Sequence, residues 1–443
     1  MTAYTLFLTD YVNIEFNLRR NVITSILAFA MNLALMFISY RLVIMRGGLA
    51  SIGLWSTLTS WIFLIRFGDI GMTTAVVRFV SLCDARRESE RIRAYLDTSL
   101  ALNGFLFTLL AGIGYLVFSS SIDRVVPGDV VAQETARMIL PLMFTGFVLS
   151  NLSGLVLGGL TGLHRGYQVA LITIGGALTQ LCVVVPTVPH VGLAGLAWGQ
   201  IAQHAGMIIV GWGLFLVALR RDSGLHRGIL PSYVSYVALR EMLAFSLKAQ
   251  FANLINGLFE PISKIFVGRF GGLELLGHYE LAYKMVSLPR NAVVAGAQAT
   301  TPAMTRLMTE NLPEARALYQ HTRKNLLFRG SPVLIATVLC APFASWLWLG
   351  KLDERLWVFI AFLAAGFMVN TLGVSAYLLG VASGWLRGNI VSSLVAVFSM
   401  VLFCALAAAV LDERGQIAGV ALGLALGGIV NIRQNSWLLE DLR

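Results

Sequence analysis

GGLASIGLWSTLTSWIFLIR at residues 47–66 and GGLELLGHYELAYKMVSLPR at residues 271–290 are two copies of one pattern. At a constant offset of 224, Gly47, Gly48, Leu49 and Gly53 fall on Gly271, Gly272, Leu273 and Gly277. Trp55 falls on Tyr279, and Arg66 on Arg290. Each copy is a Gly-rich turn feeding a long apolar run that ends in an arginine. A guanidinium at depth in lipid is costly, so two at equivalent positions call for a partner or a task.

The apolar runs set the class. Of the 443 residues 57% are hydrophobic and 13% charged, with a mean hydropathy of +0.75. Soluble domains carry about 25% charged residues, so the chain reads as an all-α integral membrane protein. Twelve stretches are long enough to cross a hydrocarbon core: 22–44, 52–76, 98–119, 138–160, 169–188, 194–219, 243–267, 277–302, 327–349, 356–380, 390–411 and 417–437. With the N-terminus in the cytoplasm, the inner segments hold 20 of the 33 Lys/Arg and the outer loops 7, with Arg329 and Arg433 counted at the inner ends of their spans. This asymmetry places both termini in the cytoplasm.

The net charge of +10 is spread over short loops and follows topology; no loop has the basic and aromatic pattern of a nucleic-acid surface. The four cysteines form no paired spacing, and the three in apolar runs read as small core residues. The histidines show no metal-ligand spacing, and no cleavable signal is evident at residues 1–18. Neither a P-loop nor a nucleophile elbow occurs, so no cofactor, metal or enzymatic chemistry is expected.

Two further matches lie at or near the offset, at 222 and 224. LGGLTGLHRG (157–166) matches LGVASGWLRG (379–388), and LAGLAWGQ (193–200) matches IAGVALGL (417–424). Six spans separate the copies, so the halves have the same orientation, a parallel repeat of the transporter kind. The expected division is 1–219, a joint at 220–240 where charge, Gly and Pro interrupt the apolar pattern, and 241–443. The Gly-x3-Gly stripes at 154–162 and 419–427 read as close helix packing. The inner loops 81–97 and 304–325 read as amphipathic helices at the basic interface.

Nine charged residues lie within spans, all in the paired first two spans of each half: Arg41, Arg66, Lys248, Lys264, Lys284, Arg290, Asp69, Glu260 and Glu280. Intramembrane ionisable groups face a cavity or each other and mark routes of transport. Arg66, Arg290, Lys284, Lys264 and Arg41 are the candidate substrate contacts. For Arg41, near the outer end of its span, snorkelling is an equally good reading. Asp69 follows Arg66 by three residues, and Glu260 precedes Lys264 by four, so each acid can pair on its own helix face. These two are the candidates for coupling to a proton or sodium ion, with static pairing as the other reading. The remaining charge is positive, which suits an anionic cargo, since arginine grips phosphate with two parallel bonds. Pro261 and Pro289 are expected bending points.

GGLASIGLW, FGDIG (67–71) and the basic inner loop after them resemble the first half of the polysaccharide flippases of the multidrug/oligosaccharidyl-lipid/polysaccharide (MOP) superfamily. LLGHYELAYKM (275–285), Pro302 and Arg306-Leu307 resemble that family's eighth helix. The resemblance implies two six-helix bundles in a V, a MATE-like transporter with alternating access, and spans 1, 2, 7 and 8 bordering a central cavity. It implies a cargo of oligosaccharide on undecaprenyl diphosphate, moved from the cytoplasmic to the outer leaflet of a bacterial inner membrane. O-antigen, lipopolysaccharide or exopolysaccharide synthesis would be the pathway, with its polymerase as a further partner. The alternative is an ion-coupled exporter of small molecules, of multidrug or major-facilitator type, although the loop after span 2 lacks the glycines of the latter.

Overall fold

The computed structural model describes residues 2–65, 71–127, 130–223, 228, 230–231, 233–410, 413–436 and 438. Among these, all regular structure is helical. In order the helices are α1 (Thr2–Ile65), α2 (Met72–Ala85), α3 (Ser89–Ser120), α4 (Ile122–Val125), α5 (Val130–Gly162), α6 (Gly166–Val191), α7 (Leu193–Ser223) and α8 (Tyr236–Gly257). They continue with α9 (Phe259–Gln298), α10 (Thr301–Glu310), α11 (Leu312–Asn325), α12 (Ser331–Leu349), α13 (Glu354–Leu372), α14 (Val374–Ser383), α15 (Arg387–Val410) and α16 (Glu413–Ser436). A π-helical stretch, Leu326–Gly330, joins α11 to α12.

The repeat that opens the sequence is a pair of helix breaks. α1 is interrupted at Gly48 (φ 70°, ψ −174°) and α9 at Gly272 (φ 76°, ψ −179°). This combination is essentially closed to residues with a Cβ, so glycine at both sites is a steric requirement. Nine helices among the described residues are long and apolar enough to cross a membrane. That figure takes Ile23–Ile65 as one element, where the sequence expects a second span to begin beyond the break. The expected spans 2, 7 and 8 are each shared between two helices or two arms of a broken helix, so the twelve expected spans are consistent with the described helices.

The chain packs as two compact units. One comprises Met1–Arg46, Ile65–Ser121 and Arg137–Gln250; the other comprises Gly47–Leu64, Ile122–Ala136 and Phe251–Arg443.

In the first unit, the glycine stripe of α5 seats α2: Gly158 lies against Thr73 and Val77, and Gly162 against Val80. Gly195 and Gly199 bring α7 onto α6 at Val188 and Val184. The segment 81–97 is not a separate interfacial helix. Its apolar positions Ile92, Tyr95 and Leu96 join the core formed with Val76, Val80, Leu155 and Phe215, so α2 and α3 absorb it and leave only a turn at 86–88. Residues 228–235 of the expected joint are tied to α3. Arg93 donates to the carbonyls of Gly228 (3.1 Å) and Leu230 (2.8 Å) and pairs with Asp97 at 2.7 Å. Asp97 and Thr98 accept from the backbone N–H of Tyr233 (3.1 Å) and Ser235 (2.9 Å).

In the second unit, α9 folds back on itself at Gly272. Ser263 meets Tyr279 at 2.7 Å, Lys264 meets Glu280 at 2.8 Å, and Gly268 lies against Leu276. The second arm of α1 packs on the second arm of α9 through a reciprocal contact: Gly53 lies against the Leu273 backbone, and Gly277 against that of Leu49. Gly419, Gly423 and Gly427 seat α16 on α15 at Phe403, Met400 and Ala396. Residues 304–325 form α10 and α11, whose Met304, Ala315 and Tyr319 pack on Ala376 and Leu379 of α14. Pro261 lies in the first turn of α9, where its missing N–H costs little; the interruption precedes it at Leu258, and the helix continues through Pro289. Gly350 ends α12 in the left-handed conformation, and Asp353 caps α13 by accepting from the Leu356 N–H at 3.0 Å.

Cys83 and Cys404 are buried, whereas Cys182 and Cys340 are exposed. Apolar surroundings in the sequence do not imply a core position here, because a membrane helix turns an apolar face outward to lipid.

Candidate functional site

The second unit encloses a cavity of about 410 Å³. Its lining is aromatic and polar by turns, and among the described residues its formally charged members are Glu260 and Arg290. Both come from α9, one from each arm, so the fold-back at Gly272 brings them to one chamber. Facing them are Asn370 and Tyr377, from the α13–α14 region, and Ser392 and Asn431, from α15 and α16.

Arg290 is held entirely by neutral groups. Nη2 donates to Asn370 Oδ1 at 2.8 Å and Nη1 to Asn291 Oδ1 at 3.3 Å. The guanidinium carbon lies 5.4 Å from the Phe367 ring centroid, and Nε is buried with no hydrogen-bond partner. No ion pair to Arg290 occurs among the described residues. Amides fix its direction and leave its charge uncompensated, an arrangement suited to an anion.

The lysines behave differently. Lys264 Nζ lies 2.6 Å from Glu260 Oε1 and 2.8 Å from Glu280 Oε2; Lys284 Nζ lies 3.0 Å from Glu260 and 4.0 Å from Glu280. Lys264 and Glu280 are almost completely buried. Ser56 Oγ, from the other copy of the repeat, donates to Glu280 at 2.8 Å. Two positive and two negative groups thus form a balanced cluster beside the cavity, with Glu260 reaching its lining. Glu260 reaches Lys284 only across the fold-back, a pairing that spacing along one helix does not reveal. The expected net-positive chamber becomes, among the described residues, a chamber with one uncompensated cation.

Of the other candidates, Arg41 is half-buried on α1, in the first unit. Arg66 and Asp69 lie outside the described residues. Sequence reasoning does not find Asn291, Asn370 or Asn431. No group of three or more His, Cys, Asp and Glu able to hold a metal occurs among the described residues.

A family model described as a polysaccharide biosynthesis protein matches residues 131–352. No curated protein matches the sequence. Solved structures do match in fold. An inward-facing multidrug-resistance MATE transporter of the MOP superfamily superposes with a TM-score of 0.72 at 16% identity, over 92% of this chain and 96% of that one. A MATE transporter of Vibrio cholerae gives 0.69 at 13% identity, over 98% of each chain. A MOP-superfamily transporter of Pyrococcus furiosus, described as having a binding pocket of reversed polarity, gives 0.67 at 15% identity over 95% of each. At such identities the likeness establishes the fold, which this chain shares with those transporters.

Proposed function

We propose that this chain, which belongs to the polysaccharide biosynthesis protein family, moves an oligosaccharide on undecaprenyl diphosphate from the cytoplasmic to the outer leaflet of a bacterial inner membrane. The observation that carries the reading is Arg290, a cavity arginine oriented by two amides and matched by no carboxylate among the described residues. Such a group attracts the diphosphate, the one strongly anionic feature common to lipid-linked sugars. In this reading 1–219 and 241–443 are two six-helix bundles joined at 220–240, and they alternate access to the cargo. Both termini are cytoplasmic, and Arg66, Arg41, Lys264 and Lys284 support the route. Asp69 and Glu260 couple it to a proton or sodium gradient, and the pathway is O-antigen or exopolysaccharide synthesis.

The test is complementation of a strain lacking the protein. Arg290→Ala is expected to abolish surface polysaccharide and accumulate lipid-linked sugar at the inner leaflet, with membrane abundance unchanged. Arg290→Lys is expected to restore part of the export, keeping the charge but losing the planar fork. Normal export by Arg290→Ala would remove the reading. The fold shared with multidrug transporters favours a second reading, an ion-coupled exporter of small molecules. It would be preferred if deletion changed drug sensitivity and left polysaccharide intact.

A further inference from the structure

The wall of the cavity around Arg290 is built from uncharged hydrogen-bonding groups that a second layer holds in place. Asn435, fully buried, donates to Asn431 Oδ1 at 2.8 Å and to Asn389 Oδ1 at 2.7 Å. Asn431 Nδ2 donates to Ser392 Oγ at 3.1 Å, and Ser392 Oγ to the Asn389 carbonyl at 2.8 Å. Asn370, besides accepting from Arg290, donates to the Leu424 carbonyl at 3.1 Å. Three buried asparagines and a serine therefore form one connected network between α14, α15 and α16, and Asn370 of α13 is fixed separately onto α16. Asn370, Ser392 and Asn431 line the chamber. A side-chain amide offers two N–H groups and two lone pairs. Among the described residues the bonds above use one donor and one acceptor of Asn431, which lines the cavity, so the other pair can serve a ligand.

Charge narrows the ligand. The lysine and glutamate cluster is balanced, so Arg290 supplies the only uncompensated charge in the lining among the described residues. Glu260, also in the lining, is held by Lys264 and Lys284, so among the described residues the lining offers no second free cation for a second anion. Aromatic rings of Tyr283, Phe367 and Tyr377 complete the wall. Ring faces with fixed amides and hydroxyls suit a group that presents both C–H faces and hydroxyls. The volume is toward the lower end of the roughly 300–1,000 Å³ typical of small-ligand sites, which fits one or two sugar rings rather than a whole repeating unit.

We infer that the Asn370–Ser392–Asn431 wall is a subsite for the uncharged sugar attached directly to the phosphate bound at Arg290, and that it discriminates against an acidic sugar there. This rests on the lipid-linked-sugar reading and names the class of its first sugar. A site built to hydrogen-bond hydroxyls loses much of its affinity when those partners are withdrawn, because its own buried groups are left unpaired.

The experiment measures the thermal shift of the full-length protein in nanodiscs with four probes. They are a short-chain polyprenyl diphosphate alone and the same lipid carrying one glucose, one N-acetylglucosamine or one glucuronate. Either neutral sugar is expected to bind at least tenfold more tightly than the bare diphosphate, and glucuronate no better than the bare lipid. Asn431→Leu is expected to remove the gain from the neutral sugar while leaving the bare diphosphate shift intact, which also reports that the variant is folded. If Asn431→Leu is not recovered folded, Ser392→Ala is read in the same way. Glucuronate binding as well as glucose, or equal loss of all probes in a folded variant, would overturn the subsite. Absence of any diphosphate shift sensitive to Arg290→Ala would instead remove the functional reading beneath it, and the subsite with it.

Discussion

Ser56 and Glu280 occupy the same position in the two copies of the repeat, 224 residues apart, and they are hydrogen-bonded to each other at 2.8 Å. The bond is buried, and its acceptor also holds Lys264. A hydroxyl from one copy thus completes the shell of a carboxylate in the other, and that carboxylate neutralises a lysine the membrane would not otherwise tolerate.

Ser56→Ala is expected to lower stability by about 1.5–3 kcal/mol, the range for a hydrogen bond to a charged group. Glu280→Gln is expected to cost more, about 3–5 kcal/mol, because it leaves a buried cation under-compensated. Thermal unfolding of the detergent-solubilised protein reads both. Adding Lys284→Met to Glu280→Gln should recover part of the loss, and strict additivity of the two changes would argue against a coupled cluster.

Gly53→Ala and Gly277→Ala each place a methyl group on a backbone carbonyl of the opposing arm, at Leu273 and at Leu49. Neither carbonyl can move without shifting its helix, so both variants should lose abundance sharply. Gly112→Ala adds its methyl to open space and is the control expected to keep wild-type levels. Quantitative blotting of membranes compares the three.

The α12–α13 turn should fail in acid. Burial alone would raise the Asp353 pKa, but the Leu356 N–H and the neighbouring His278, 3.5 Å away, outweigh it and hold the carboxyl below its ordinary 3.8. A carboxylate depressed on folding adds stability above its unfolded value, and that stability is lost as pH falls through the lower folded value. Between about pH 5 and pH 2, the wild-type melting temperature should fall more steeply than that of Asp353→Asn. Parallel curves would show that the pair contributes nothing.

Arg93→Ala should release residues 228–235 from α3, since Arg93 carries two of their hydrogen bonds and orients Asp97 for a third. A protease site placed at 224–229 is expected to be cut many times faster in this variant, while Arg91→Ala, at an exposed neighbouring position, leaves the rate unchanged. Equal cutting in all three proteins would mean that the joint is not held there.

Legibility in the sequence followed the range of the interaction. Gly48 and Gly272 are visible because a backbone requirement repeats at one offset, and Glu260 with Lys264 because four residues make one helical turn. Glu280 and Lys284 join that pair only through the fold-back at Gly272, which spacing along a single helix does not reveal. Arg290 stands out by its chemistry, yet its partner Asn370 lies 80 residues away and has no mark of its own among the polar residues of spans. The bond between Ser56 and Glu280 is implicit in the repeat: extending the alignment by one residue past Trp55 and Tyr279 sets a serine opposite an acid.

Gly53 receives Leu273 as Gly277 receives Leu49, the same contact made once in each direction. A two-fold axis produces this reciprocity between identical protomers, so the two copies meet as the subunits of a homodimer do. The copies differ at positions 56 and 280, where a serine faces an acid, and both lysines that neutralise the acid come from one copy. An acid in both places would set like charge on like across the pseudo-axis, so the charged core depends on the two copies being unequal at this one position.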